Sequence, residues 1–159
     1  LVSKAHLSKA FCEAARNAQG LLKQVNLRYW SRVDAAAVAS VASKCSQLLS
    51  LRLGPCSDAV VVAVASNCKQ LVALELYTPL AMHELYMITD EAVMAVASGC
   101  PQLSSFDLSY CYHITDAAVE AVALGCKQLL SLYLRKCHIT DVAVVAVASG
   151  CKQLSSLDL

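Results

Sequence analysis

Five cysteines divide most of this chain into units that copy one another. Cys45, Cys68, Cys100, Cys126 and Cys151 stand 23, 32, 26 and 25 residues apart. Seven residues upstream of each lies Val38, Val61, Val93, Val119 or Val144, and four upstream lies Val41, Val64, Val96, Val122 or Val147. Three upstream come Ala42, Ala65, Ala97, Ala123 and Ala148. Apolar residues at i, i+3 and i+4 draw one stripe along a short helix. A unit this small cannot bury its apolar face alone, so each copy must stack on the next. That requirement excludes most other folds.

The ends of each unit are also written in the sequence. Eleven residues before each cysteine stands Asp34, Ser57, Thr89, Thr115 or Thr140, all able to accept a hydrogen bond from a helix N-terminal amide. Asp58, Asp90, Asp116 and Asp141 follow four of them, where the helix dipole favours negative charge. After each cysteine the period changes. Gln47, Gln70, Gln102, Gln128 and Gln153 lead into Leu48-x-x-Leu51-x-Leu53, Leu71-x-x-Leu74-x-Leu76, Leu103-x-x-Phe106-x-Leu108, Leu129-x-x-Leu132-x-Leu134 and Leu154-x-x-Leu157-x-Leu159. A weaker copy precedes them at Leu22-x-x-Val25-x-Leu27. The alternating endings predict half-buried strands. Three residues past the strands stand Trp30, Cys56, Pro79, Cys111 and Cys137, which the turn after the strand should use as caps.

The pattern L-x-x-L-x-L-x-x-C, followed by I-T-D and a helix ending in G-C, resembles the cysteine-containing leucine-rich repeat of F-box/leucine-rich-repeat proteins. The resemblance covers residues 22–159. It implies an α/β solenoid of about six repeats, a horseshoe with a parallel sheet on the concave face and helices on the convex face. Residues 1–21 form a separate N-terminal unit, with a helix expected over 3–18 that caps the first repeat. Leu1-Val2-Ser3-Lys4 is similar to a stretch near the end of an F-box, which makes this segment a candidate F-box remnant. One unit is short, around Gly54-Pro55-Cys56, and one is long, through Tyr77–Met87. Insertions map to loops on one rim, so residues 77–87 are a candidate functional protrusion.

Composition limits the function classes. Apolar residues make up 57% and charged residues 16%, with Gly and Pro few, which excludes a disordered or collagen-like chain. The longest charge-free run, Ala92–Phe106, is 15 residues and carries serines, a glycine and a proline, so no membrane span is expected. A net charge of +1 gives no field to steer nucleic acid. Nine cysteines, an odd number, and no secretory leader pattern at the start predict reduced thiols and a cytoplasmic or nuclear location.

No catalytic, cofactor or metal site is predicted. The cysteines at the helix ends fill one structural column, and no C-x-x-C or H-x-x-x-H occurs. His113 and His138 repeat each other in matching loops, and no nucleophile–base pair stands outside the repeat. The residues that vary lie beside the inward leucines. The central strand column reads Asn26, Arg52, Glu75, Asp107, Tyr133 and Asp158, flanked by Gln24, Ser50, Ala73, Ser105, Ser131 and Ser156, and by Arg28, Gly54, Tyr77, Ser109 and Arg135. Packing does not dictate these positions. They predict a groove with basic, acidic and then Tyr/Arg zones, and Tyr29, Tyr77, Tyr110 and Tyr133 gather near one rim. Arg and Tyr are favoured interface anchors.

Arg28, Arg52, Glu75, Tyr77, Asp107, Tyr133, Arg135 and Asp158 are therefore the candidate contacts for a protein or peptide partner. The leading expectation is a non-enzymatic protein-interaction module. The alternative, implied by the resemblance, is a substrate-recognition fragment of an F-box/leucine-rich-repeat ubiquitin ligase. A small-ligand receptor of related repeat type is a third class, and six repeats give it little depth. The last expectation concerns Leu159, where the final strand carries no polar cap. Either further repeats follow, or Val144, Val147, Leu154 and Leu157 are left partly uncovered and copies associate tail to tail through residues 140–159.

Overall fold

The computed structural model describes residues 22–28, 35–77 and 88–159. The 3–18 helix, the cap at Asp34, Tyr29, Trp30, Pro79, Cys12 and the body of the 77–87 insertion lie outside these residues. Strand and helix alternate as the periodicity requires: β1 (Gln24–Leu27), α1 (Ala35–Ala42), β2 (Ser50–Leu53), α2 (Asp58–Asn67), β3 (Ala73–Leu76), α3 (Asp90–Gly99), β4 (Ser105–Asp107), α4 (Asp116–Gly125), β5 (Ser131–Tyr133), α5 (Asp141–Gly150) and β6 (Ser156–Asp158). The six strands form one parallel sheet in chain order. Helices lie on one side and a polar sheet face on the other. This is a leucine-rich-repeat solenoid.

The register follows the leucine columns without a slip. Val25, Leu51, Leu74, Phe106, Leu132 and Leu157 are successive partners across the sheet. Against them pack the valine stripe, buried except for the partly exposed Val144, and a further buried small-residue column, Val60, Ala92, Ala118 and Ala143. The parallel ladder continues upstream of the strands. The Lys23, Leu49, Val72, Ser104 and Leu130 carbonyls each accept two backbone N–H groups from the following repeat.

Two kinds of polar contact join the helical layer. Asp58 accepts the Thr89 N–H (3.0 Å) and hydroxyl (2.5 Å), Asp90 accepts those of Thr115 (2.8 and 2.5 Å), and Asp116 those of Thr140 (2.7 and 2.6 Å). Each helix-start aspartate thus grips the threonine of the next repeat. This corrects part of the capping expectation. The Thr115 and Thr140 oxygens accept from Ala117 and Val142 N–H, but Ser57 and Thr89 make no side-chain cap bond. At the other helix end the thiols bridge repeats: Cys100 donates to the Cys68 carbonyl at 3.6 Å and Cys151 to that of Cys126 at 3.8 Å.

Glycine at the helix end is a matter of space. A Cβ on Gly125 would sit 2.1 Å from the Ala97 carbonyl oxygen, and on Gly99 2.4 Å from that of Ala65. The last repeat shows what stacking supplies. Leu157 is 37% exposed, whereas its register partner Leu132 is fully buried. Val142, Val145 and Leu159 are also exposed, and Val144 and Leu154 partly so. Val147 departs from the sequence expectation: it is buried, because its stripe position faces the preceding repeat.

Gly125→Ala should destabilise by roughly 1–3 kcal/mol, because backbone must move to admit the methyl. Leu132→Ala should cost about 2–5 kcal/mol through the cavity it leaves. Urea unfolding of both variants checks this, and a neutral Gly125→Ala would contradict the close approach.

A second prediction comes from Asp116. The Thr140 hydroxyl bond, and then the Thr140 amide bond, hold its carboxyl below the usual carboxylate range. A lowered folded pKa contributes stability that is fully present above the unfolded value, about 3.9, and lost as pH falls through the folded one. Asp116→Ala should therefore lower the urea midpoint at pH 6. The gap to wild type should close progressively below about pH 4. A gap that persists at lower pH would refute the assignment.

Candidate concave binding site

The site begins with strand alternation. Asn26, Arg52, Glu75, Asp107, Tyr133 and Asp158 are consecutive partners in register, one from each strand, on the face away from the core. Two of them also shape the strand exits: Asn26 Oδ1 accepts the Arg28 N–H at 3.1 Å and Asp107 Oδ1 accepts the Ser109 N–H at 2.9 Å. Such Asx contacts turn the chain just past the strand.

Seven of the eight predicted residues line one cavity of about 270 Å³: Arg28, Glu75, Tyr77, Asp107, Tyr133, Arg135 and Asp158. Leu76, Ser109 and Tyr110 complete it. Arg52 is not in the lining and reaches the site only through Glu75. Tyr110 was visible in the sequence as a rim tyrosine. Its backbone has a positive φ of 67°, matched one repeat later by Lys136 at 62°, so the left-handed turn belongs to the repeat.

The expected zones of charge are replaced by pairs. Glu75 holds two guanidinium groups, Arg28 at 3.3 Å and Arg52 at 3.0 Å, and Arg135 meets Asp158 at 3.0 Å. Arg28 also lies over the Tyr77 ring, 4.4 Å from its centroid. Between Arg28 and Tyr77 the intervening position is Gly54. Its N–H bonds to the Leu27 carbonyl as Tyr77 N–H bonds to that of Leu53, which sets Arg28, Gly54 and Tyr77 side by side. The Arg28 Nε is buried without a hydrogen-bond partner. Exposed ion pairs contribute only about 0–1 kcal/mol each, so these pairs fix geometry more than stability.

The thiols offer no chemistry to this face. Burial pushes the Cys56, Cys126 and Cys137 thiols up to about 12 and the Cys68 and Cys100 thiols to about 11. Thiolate is the reactive form, so these groups are inert near neutral pH. All eight cysteines among the described residues are free thiols. No group of three or more His, Cys, Asp or Glu among these residues could hold a metal ion. No helix among them is long and apolar enough to cross a membrane.

No protein-family model matches the chain, and no curated protein matches it. Among solved structures it is similar to the C-terminal domain of a tropomodulin from Caenorhabditis elegans, at 13% identity and a TM-score of 0.56, over 92% of each chain. At that identity the likeness speaks for the fold, a strand–helix solenoid.

Thiol titration should count very few reactive groups in the native protein and all nine after denaturation. Disulfides in alkylated, unreduced protein would contradict both the burial and the expected reducing compartment.

Proposed function

We propose that this chain is a non-enzymatic protein-interaction module that binds a protein or peptide on its concave face. One observation carries the reading: non-repeating side chains from β3, β4, β5, β6 and the exit of β1 converge on one cavity, where no packing demand selects them. The proposal includes the 77–87 insertion as a second contact, residues 1–21 as an N-terminal cap and 22–159 as the repeat domain, in a cytoplasmic or nuclear setting. The I-T-D and G-C columns and the cysteine ladder support the likeness to cysteine-containing repeats. On that likeness the alternative reading is a substrate-recognition fragment of an F-box/leucine-rich-repeat ubiquitin ligase. The exposed Val142, Val145, Leu157 and Leu159 further suggest a contact between copies through residues 140–159.

Affinity capture with the wild-type chain and with Tyr133→Ala and Arg135→Ala variants tests the reading. Partners should be lost from both variants while their unfolding free energies stay within about 0.5 kcal/mol of wild type. Partners retained by both would overturn it. A ubiquitin-ligase adaptor among concave-independent partners would favour the alternative. Light scattering on the same proteins should show association at high micromolar concentration, and a clean monomer would refute the contact between copies.

A further inference from the structure

The pairing of charges leaves one group out. Three carboxylates and two guanidinium groups line the cavity. Glu75 is shared by Arg28 and Arg52, and Asp158 is taken by Arg135. Asp107 has no cationic partner among the described residues. Its Oδ1 accepts the Ser109 N–H, but a carboxylate can accept about four hydrogen bonds, so Oδ2 keeps most of its capacity. Its register partners are Glu75 on one side and Tyr133 on the other. Like charges opposite each other on adjacent strands repel, and a cation placed on Asp107 relieves this.

The cavity shows elsewhere what such a cation would meet. The Arg28 guanidinium rests against a carboxylate, Glu75, and over a tyrosine ring, Tyr77. Asp107 with Tyr133 and Tyr110 is a second set of the same kind, lining the same cavity. Among the described residues no cation occupies that set. We propose, on the reading of the concave face as a binding surface, that this cavity receives one cationic side chain, a lysine or arginine of an extended protein segment, with Asp107 as its counter-ion and the Tyr110 and Tyr133 rings beside it.

Charge argues against an acidic ligand. Both arginines of the cavity already hold a carboxylate, Arg28 sharing Glu75 and Arg135 taking Asp158, so an anion must compete with an ion pair and then face Asp107. Size argues for a single side chain, because about 270 Å³ is below the roughly 300–1,000 Å³ typical of pockets for whole small molecules. The column beside the central ladder argues for a peptide. Ser50, Ala73, Ser105, Ser131 and Ser156 are small and partly exposed, so a backbone can lie close along the sheet. Tyrosine faces attract cations electrostatically, and most strongly when water is excluded.

Selection of random dodecapeptides displayed on phage against the whole chain tests the proposal, with fluorescence anisotropy on the strongest peptide. The enriched peptides should share a lysine or arginine at one position. Its replacement by norleucine, and Asp107→Asn in the protein, should each weaken binding by about tenfold or more, the loss of a charge-assisted contact. Glu120→Gln, on convex helix α4, should bind like wild type. Acidic or apolar anchors in the enriched peptides, or unchanged affinity for Asp107→Asn, would overturn the cation assignment. The concave-face reading survives that result if Tyr133→Ala still abolishes binding. Peptides whose binding ignores Tyr133→Ala, Arg135→Ala and Asp107→Asn alike would overturn both.

Discussion

Hydrogen-bonded strands must lie about 4.8 Å apart, whereas packed helices ordinarily keep axes 8–10 Å apart. A chain that alternates one strand and one helix per repeat has to satisfy both spacings at once. It does so by bending toward the sheet, and its sequence limits how far. Small residues let neighbouring helices approach closely: the Ala97 carbonyl lies where a Cβ on Gly125 would be, and the Ala65 carbonyl crowds Gly99 in the same way. The aspartate–threonine contacts then tie the N-terminal ends of the same helices, so the helical layer is held at both ends.

The concave cavity follows from that bend and from the alternation of side chains. Once the leucines face the helices, every second residue must face its counterparts on neighbouring strands. In the middle of the sheet these are charged or aromatic, and they settle among themselves. Glu75 gathers two arginines from β2 and the end of β1, and β6 supplies Asp158 to Arg135. Glu75 is therefore not the neutral surface position that its outward orientation implies. Its removal would leave two guanidinium groups side by side.

Most of the architecture was legible because stacking writes the same demand into every unit. Two valine columns, the leucine endings and the cysteines predict element order, register and burial, and the eight outward residues were readable from alternation alone. The pairing among them was not. It depends on how far a side chain reaches across strands, as Arg28 does to meet both Glu75 and Tyr77. The threonine–aspartate contact was hidden for a similar reason. Each residue has a satisfactory local role at a helix start, and only the stacking distance shows that Thr89 serves Asp58 across repeats. Val147 illustrates the limit of reasoning from chain ends, since one side of its stripe is covered by the repeat before it.

Phe106 is the one buried aromatic in a column otherwise made of leucine and valine. Units this alike can in principle dock out of order during folding, with a strand pairing against the copy beyond its neighbour, a known hazard of repeat arrays. A leucine placed where the phenylalanine belongs leaves a void, and the phenylalanine placed where a leucine belongs overfills the layer. The penalty falls on both halves of any misordered pairing. The bulk of a single ring thus works as an address, giving an otherwise uniform stack a centre from which its neighbours are counted.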